Sequence, residues 1–146
     1  MTLKRCFDLV FASCALLVLA PVLGIVALWI KMDSPGPVFF RQDRVGLRGR
    51  LFAIYKFRTM VVDPPEGERS SITIGADPRI TRVGAVLRKY KLDELPQFIN
   101  VLRGDMSVVG PRPEVPKYVA TYPTQTRERV LSVRPGITDL ASVGYR

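Results

Sequence analysis

Residues 9–30 read LVFASCALLVLAPVLGIVALWI, and the chain is organised around them. The run holds no charged residue over 22 positions. At about 1.5 Å per residue it makes a helix of ~33 Å, long enough to cross a hydrocarbon core. Pro21 falls just past its middle, where the missing N–H and the ring disfavour a continuous helix by roughly 3 kcal/mol. Gly24 follows three positions later and loosens the same turn. Lys4 and Arg5 precede the run, and Lys31, Arg41, Arg44, Arg48, Arg50, Lys56 and Arg58 follow it. Positive residues are retained on the cytoplasmic side, so a simple crossing would strand one basic flank outside. A helix broken at Pro21, entering and leaving by one face, satisfies both flanks. A single proline-kinked span is the alternative.

A cleaved leader is the third reading and fits poorly. Ala20 is small, but Pro21 follows it and opposes cleavage. Phe11-Ala12-Ser13-Cys14 resembles a lipoprotein box but lies too close to Asp8.

The whole chain has 146 residues, which allows one small globular domain beside the apolar segment. Lys and Arg number 22 against 13 Asp and Glu, a formal charge of +9, while mean hydropathy is positive at +0.14. There is no histidine, which excludes imidazole bases and His-containing zinc sites. Cys6 and Cys14 sit in or beside the apolar segment and cannot build a disulfide framework. Chemistry therefore falls to carboxylates, arginines, lysines, tyrosines and hydroxyls.

Beyond the Asp33-Ser34-Pro35-Gly36-Pro37 turn cluster, 38–40 and 51–57 read as short strands of a hairpin. Val62 to Asp77 reads as a polar loop. Helices are expected over 81–91, with Thr81 as N-cap, and over about 93–103, stopped by Gly104. A strand at 106–109 and a helix at 124–133 complete an α+β domain of helices and short strands. The division expected is a membrane element at 1–32 and a catalytic domain at 33–146.

Asp93-Glu94-Leu95-Pro96 is the most suggestive acidic site. Proline is tolerated in a first helical turn, which would place both carboxylates at a helix N-terminus. Capping alone would explain them, but Arg88, Lys89 and Lys91 lie upstream and Arg103 and Arg112 downstream. Acids in such surroundings are expected to stay ionised near neutral pH, ready to hold a divalent cation or act as a nucleophile. Arginines beside proline or glycine are the second signal: Arg112, Arg134 and the terminal Arg146. A guanidinium fork matches phosphate oxygens two at a time. No GxxxxGK[ST] or GxGxxG loop occurs. Two classes stay open: an enzyme acting on a phosphorylated substrate at a membrane, or a tethered basic binding module. Nucleic acid is disfavoured, because aromatics do not interleave with the basic residues.

The longer motifs carry a resemblance. Lys4-Arg5-Cys6-Phe7-Asp8, Ser34-Pro35-Gly36-Pro37-Val38-Phe39-Phe40-Arg41-Gln42 and Tyr55-Lys56-Phe57-Arg58-Thr59-Met60 occur in order. Leu92-Asp93-Glu94-Leu95-Pro96-Gln97 follows, then Asn100 through Ser107, Val109-Gly110-Pro111-Arg112-Pro113 and Arg134-Pro135-Gly136-Ile137-Thr138. Together they resemble the bacterial sugar transferase family, small monotopic phosphoglycosyl transferases. The resemblance implies a nucleotide diphosphate sugar, usually a UDP-sugar, as donor and a polyprenyl phosphate as acceptor, with UMP released and Mg2+ required. It implies Asp93 as nucleophile, Glu94 as its partner carboxylate, and Arg88, Arg112 and Arg146 as phosphate-binding residues. It further implies a re-entrant helix broken at a Ser-Pro pair, where this chain has Ala20 before Pro21. The expected location is the cytoplasmic face of a bacterial inner membrane, among membrane lipid. Family members usually continue past the region of Arg146. Homo-oligomerisation and the identity of the sugar stay open.

Overall fold

The computed structural model describes residues 3–62 and 77–139. Most of the loop expected at 62–77, and Arg146, lie outside the described residues. The fold is α+β, with contacts that divide the chain into two compact units. The first comprises 1–19, 41–55 and 96–146, the second 20–40 and 56–95.

Helix α1, Leu3–Asp33, carries the apolar run. It continues through Pro21 where a break was expected. Proline removes only one backbone donor, and the apolar residues on both sides favour helical backbone enough to keep the turns on either side. Most of the helix is exposed: Leu17, Val18, Ile25 and Leu28 each show more than 60% of their surface. A core helix of this length would be covered, so these side chains call for an apolar medium.

In the first unit, Ala12 of α1 packs with Ile54, Val101, Met106 and Val108. Strands β1 (Phe39–Val45) and β2 (Leu51–Phe57) pair in one two-stranded sheet, through a connection too short for a parallel crossover. β1 runs five residues past the expected 38–40, because Gly46 N–H donates to the Arg50 carbonyl at 2.8 Å and tightens the turn. α3 (Gln97–Arg103) ends on Gly104, whose φ of 92° suits glycine. β3 (Ser107–Val109) then pairs in parallel with β4 (Gly136–Thr138), in register Ser107 to Gly136 and Val109 to Thr138. The chain between them holds α4 (Pro116–Val119) and α5 (Thr124–Leu131).

The start of α1 is fastened to this unit by charge. The buried Asp8 carboxylate accepts from the Ser107 hydroxyl at 3.0 Å and the Val108 N–H at 3.1 Å. Lys4, one turn earlier, donates to Asp8 at 2.6 Å and also to Ser107. Arg5 donates to the carbonyls of Val101 at 2.7 Å and Leu102 at 3.2 Å, satisfying the open end of α3.

In the second unit, Val26 and Ile30 of α1 pack with Phe57, Val83 and Leu87. α2 (Arg82–Lys89) is capped twice. Thr81 accepts from Gly84 N–H at 2.9 Å, as expected, and Asp33 accepts from Val83 N–H at 3.1 Å. Gly84 lets α2 approach closely, since a Cβ there would run into the Thr59 carbonyl. The buried Arg58 holds the turn cluster by donating to the carbonyls of Ser34, at 2.7 Å, and Pro35.

Candidate functional site

The acidic pair does not open a helix. α2 stops at Lys89, and Lys91 takes a left-handed φ of 58° that turns the chain. Leu92–Glu94 then form one 3-10 turn, with Leu95 N–H on the Leu92 carbonyl at 3.3 Å. Pro96 has no N–H to extend that ladder, so α3 starts afresh at Gln97. Asp93 and Glu94 therefore stand on a separate turn before the helix, a correction to the expected helix over 93–103. With three residues per turn, successive side chains diverge by about 120°. The two carboxylates accordingly face different surroundings.

Glu94 faces β2. Its Oε1 accepts from Lys56 Nζ at 2.7 Å, with side chains 14% and 18% exposed. Lys56 is the one charge in the otherwise uncharged strand LFAIYKF, and that isolation was the sequence signal for a partner. In the sequence it counts among the basic residues after the apolar run and in the Tyr55–Met60 motif, and not among the expected site residues. Asp93 is half-buried. Burial, the largest influence, pushes its carboxyl above the ordinary 3.8; Glu94's like charge adds to this, while Lys56 and Arg88 oppose it. The basic neighbourhood expected from the sequence is thus present, yet burial outweighs it. Arg88, near the end of α2, is aimed by Nε donating to the Thr59 hydroxyl at 2.9 Å.

Asp93, Glu94, Arg88 and Lys56 thus belong to one cluster in the second unit. Arg112 belongs to the first unit, where it lines a small cavity with Gly46, Pro111, Glu114, Val119 and Tyr122. Arg134, the other proline-flanked arginine, donates Nε to the Gly104 carbonyl at 2.9 Å and so serves the end of α3. Arg146 lies outside the described residues. Among the described residues no three Asp, Glu or Cys gather as a metal site. Two carboxylates side by side, with a lysine and an arginine near them, suit phosphate chemistry. They supply a carboxylate oxygen that can attack and cations that can bear charge on phosphate oxygens.

Comparison with known proteins gives a consistent picture. The family model described as "Bacterial sugar transferase" matches residues 1–146. The chain is 46% identical to an exopolysaccharide production protein PSS of Rhizobium leguminosarum bv. phaseoli, over 98% of this chain and 74% of that one. It is 46% identical to a UDP-glucose:undecaprenyl-phosphate glucose-1-phosphate transferase of Escherichia coli K12, over 99% of this chain and 32% of that one. It is 45% identical to an undecaprenyl-phosphate glucose phosphotransferase of Komagataeibacter xylinus, over 96% of this chain and 27% of that one. The chain thus spans about a third or less of the length of these last two relatives.

Proposed function

We propose, from the premise that the chain belongs to the bacterial sugar transferase family, that its protein moves a sugar-1-phosphate from a UDP-sugar to a polyprenyl phosphate at a bacterial membrane. The observation that carries this reading is the Asp93–Glu94 turn set against Lys56 and Arg88. The relatives' names supply the substrate class.

In this reading an Asp93 carboxylate oxygen attacks the sugar-bearing β-phosphorus of the donor. A new O–P bond forms, the bond to the α-phosphate oxygen breaks, and UMP leaves with the electron pair. The acceptor's phosphate oxygen then attacks the same phosphorus and returns Asp93 as a free carboxylate. Lys56 holds Glu94 in place, and together with Arg88 it favours the ionised, attacking form of Asp93. Membership of the family supports phosphate-binding roles for Arg112 and Arg146 as well, since a guanidinium fork matches phosphate oxygens. The rate should rise with pH through the raised Asp93 pKa, since only the ionised form attacks.

Magnesium suits this donor set. It takes hard oxygens and is commonly held by one or two carboxylates plus substrate phosphate and water, which Asp93, Glu94 and a diphosphate offer. When bound, the ion neutralises charge on the transferring phosphoryl group. The exposed apolar length of α1 supports membrane attachment, and the basic residues on both of its flanks support keeping both flanks on the cytoplasmic side.

The test is to mix the protein with labelled UDP-sugars and magnesium, without lipid, and weigh the intact chain. A mass gain of one phosphosugar, absent in Asp93→Asn, is expected. No adduct with any donor that supports turnover, together with sequential kinetics, would sink the two-step route. A binding module would release no nucleotide at all. Tags at both chain ends should be protease-accessible from the cytoplasmic side, and protection of either end means a true span.

A further inference from the structure

Two arginines far apart in sequence meet on one tyrosine in the first unit. The Arg41 guanidinium carbon lies 4.8 Å from the centre of the Tyr55 ring, and that of Arg103 lies 5.7 Å from it. Arg103 Nη1 also donates to the Tyr55 hydroxyl at 2.7 Å, which fixes its plane. Both arginines are exposed, and among the described residues neither has a carboxylate within 4 Å. Like charges brought together repel, and ring stacking offsets this only modestly at an exposed site. One fork oriented at Arg103 and a second guanidinium on the same ring, both with donors to spare, are what a phosphate group satisfies.

Their location says where the phosphate comes from. Arg103 ends α3, and the carbonyls just before it, Val101 and Leu102, are held by Arg5 at the basic start of the apolar helix. Phe98 of the same α3 packs on Phe11 of α1, with ring centres 6.0 Å apart. The cluster therefore sits level with the point where α1 passes from charged to apolar residues. Tyrosine concentrates at that depth of a bilayer, and phosphate headgroups lie there.

We propose that Arg41, Tyr55 and Arg103 form a lipid-headgroup site that takes the phosphate of a membrane-borne phosphate ester. The proposal rests on the reading above only in seating α1 in lipid. It concerns binding and needs no catalytic step.

The full chain, in nonionic detergent micelles carrying equal phosphatidylcholine and phosphatidylglycerol, is analysed by native mass spectrometry. The parent should retain phosphatidylglycerol preferentially. Arg41→Gln/Arg103→Gln should lose that preference by about 5-fold per guanidinium removed. Arg41→Lys/Arg103→Lys should lose part of it, because the forks are gone although the charge remains. Tyr55→Phe keeps the ring but frees Arg103, and should fall between parent and double Gln variant. Unfolding midpoints close to the parent's show that these surface changes leave the fold intact. Parallel micelles with polyprenyl phosphate separate the sources: arginine-dependent retention of that lipid alone assigns the site to the acceptor, and of both lipids to headgroups generally. Equal retention by the parent and the double Gln variant overturns the proposal. Nucleotide release measured on the same samples keeps the two readings apart, since an inactive chain with arginine-dependent retention defeats the transferase and leaves this site standing. Complete release of the parent from membranes by alkaline carbonate would remove the seat on which the site depends.

Discussion

Removing the Lys56 ammonium tests whether the Glu94–Lys56 pair organises the acidic turn. The pair is short, 2.7 Å, and its side chains are only 18% and 14% exposed. An exposed pair contributes about 0–1 kcal/mol, whereas a fully buried carboxylate stripped of its partner costs about 3–5 kcal/mol. At these exposures Lys56→Met should cost about 2–3 kcal/mol, most of it from the Glu94 charge left half-desolvated. For a chain near 150 residues this lowers the thermal midpoint by about 5–10 °C. Adding Glu94→Gln removes the stranded charge, so the double variant should recover about 1–2 kcal/mol relative to the summed single losses. Circular dichroism melts in detergent micelles supply the four midpoints. The pH profile of nucleotide release supplies a second reading of the same residues. Lys56 opposes the upward push on Asp93 and Glu94 adds to it. Lys56→Met must therefore move the acid limb to higher pH, and Glu94→Gln to lower pH. Single losses that simply add, or pH limbs that shift in the same direction, would refute the coupling.

Asp93→Asn should raise the unfolding midpoint at neutral pH. A carboxyl whose folded pKa lies above its ordinary 3.8 destabilises the fold once ionised, so the gain should fade as pH drops through the folded pKa toward 3.8; a variant less stable than the parent at pH 7 would contradict this. Leu87→Ala empties a fully covered position between α2 and the end of α1 and should cost about 2–5 kcal/mol in the same melts. Gly84→Ala sets a methyl against the Thr59 backbone, which cannot swing aside, and should reach or pass the top of the about 1–3 kcal/mol range for overpacking. Lys4→Gln should leave the purified protein within about 1 kcal/mol of the parent, because Ser107 and Val108 still serve Asp8. It should lower the yield of membrane-inserted chain more than the midpoint; equal effects on both would count against the reasoning.

What was legible in the sequence is what local physics decides. The apolar run marked α1, the threonine before Arg82 marked the cap of α2, and Gly104 marked the end of α3. The misreadings share one cause, which is that the deciding partner lies elsewhere in the chain. β4 has three residues and one large apolar side chain, Ile137, and it becomes a strand only through β3, about 30 positions earlier. α4 is a single turn too short to show a period. The acidic turn was placed one element too late because Pro96 serves equally to begin a helix or to end a 3-10 turn. Of the site, the carboxylates and Arg88 were visible as motif residues. Lys56 was visible as a basic flank residue, a motif position and a lone charge in a strand, with nothing local to say that Glu94 answers it.

The fastening of Asp8 also sets an order of events during synthesis. Val108, which donates to the Asp8 carboxylate, lies 100 residues further along the chain. At about 5–20 residues per second, some 5–20 s pass between the making of the carboxylate and of its distant donors. Through that interval the apolar run beside it is already complete and free to partition into lipid, while Asp8 would be a bare charge at its edge. Lys4 is made first, one helical turn upstream, and can answer the carboxylate as soon as that turn forms. The nascent helix therefore carries its own temporary counterion, and the globular part later takes over most of that duty.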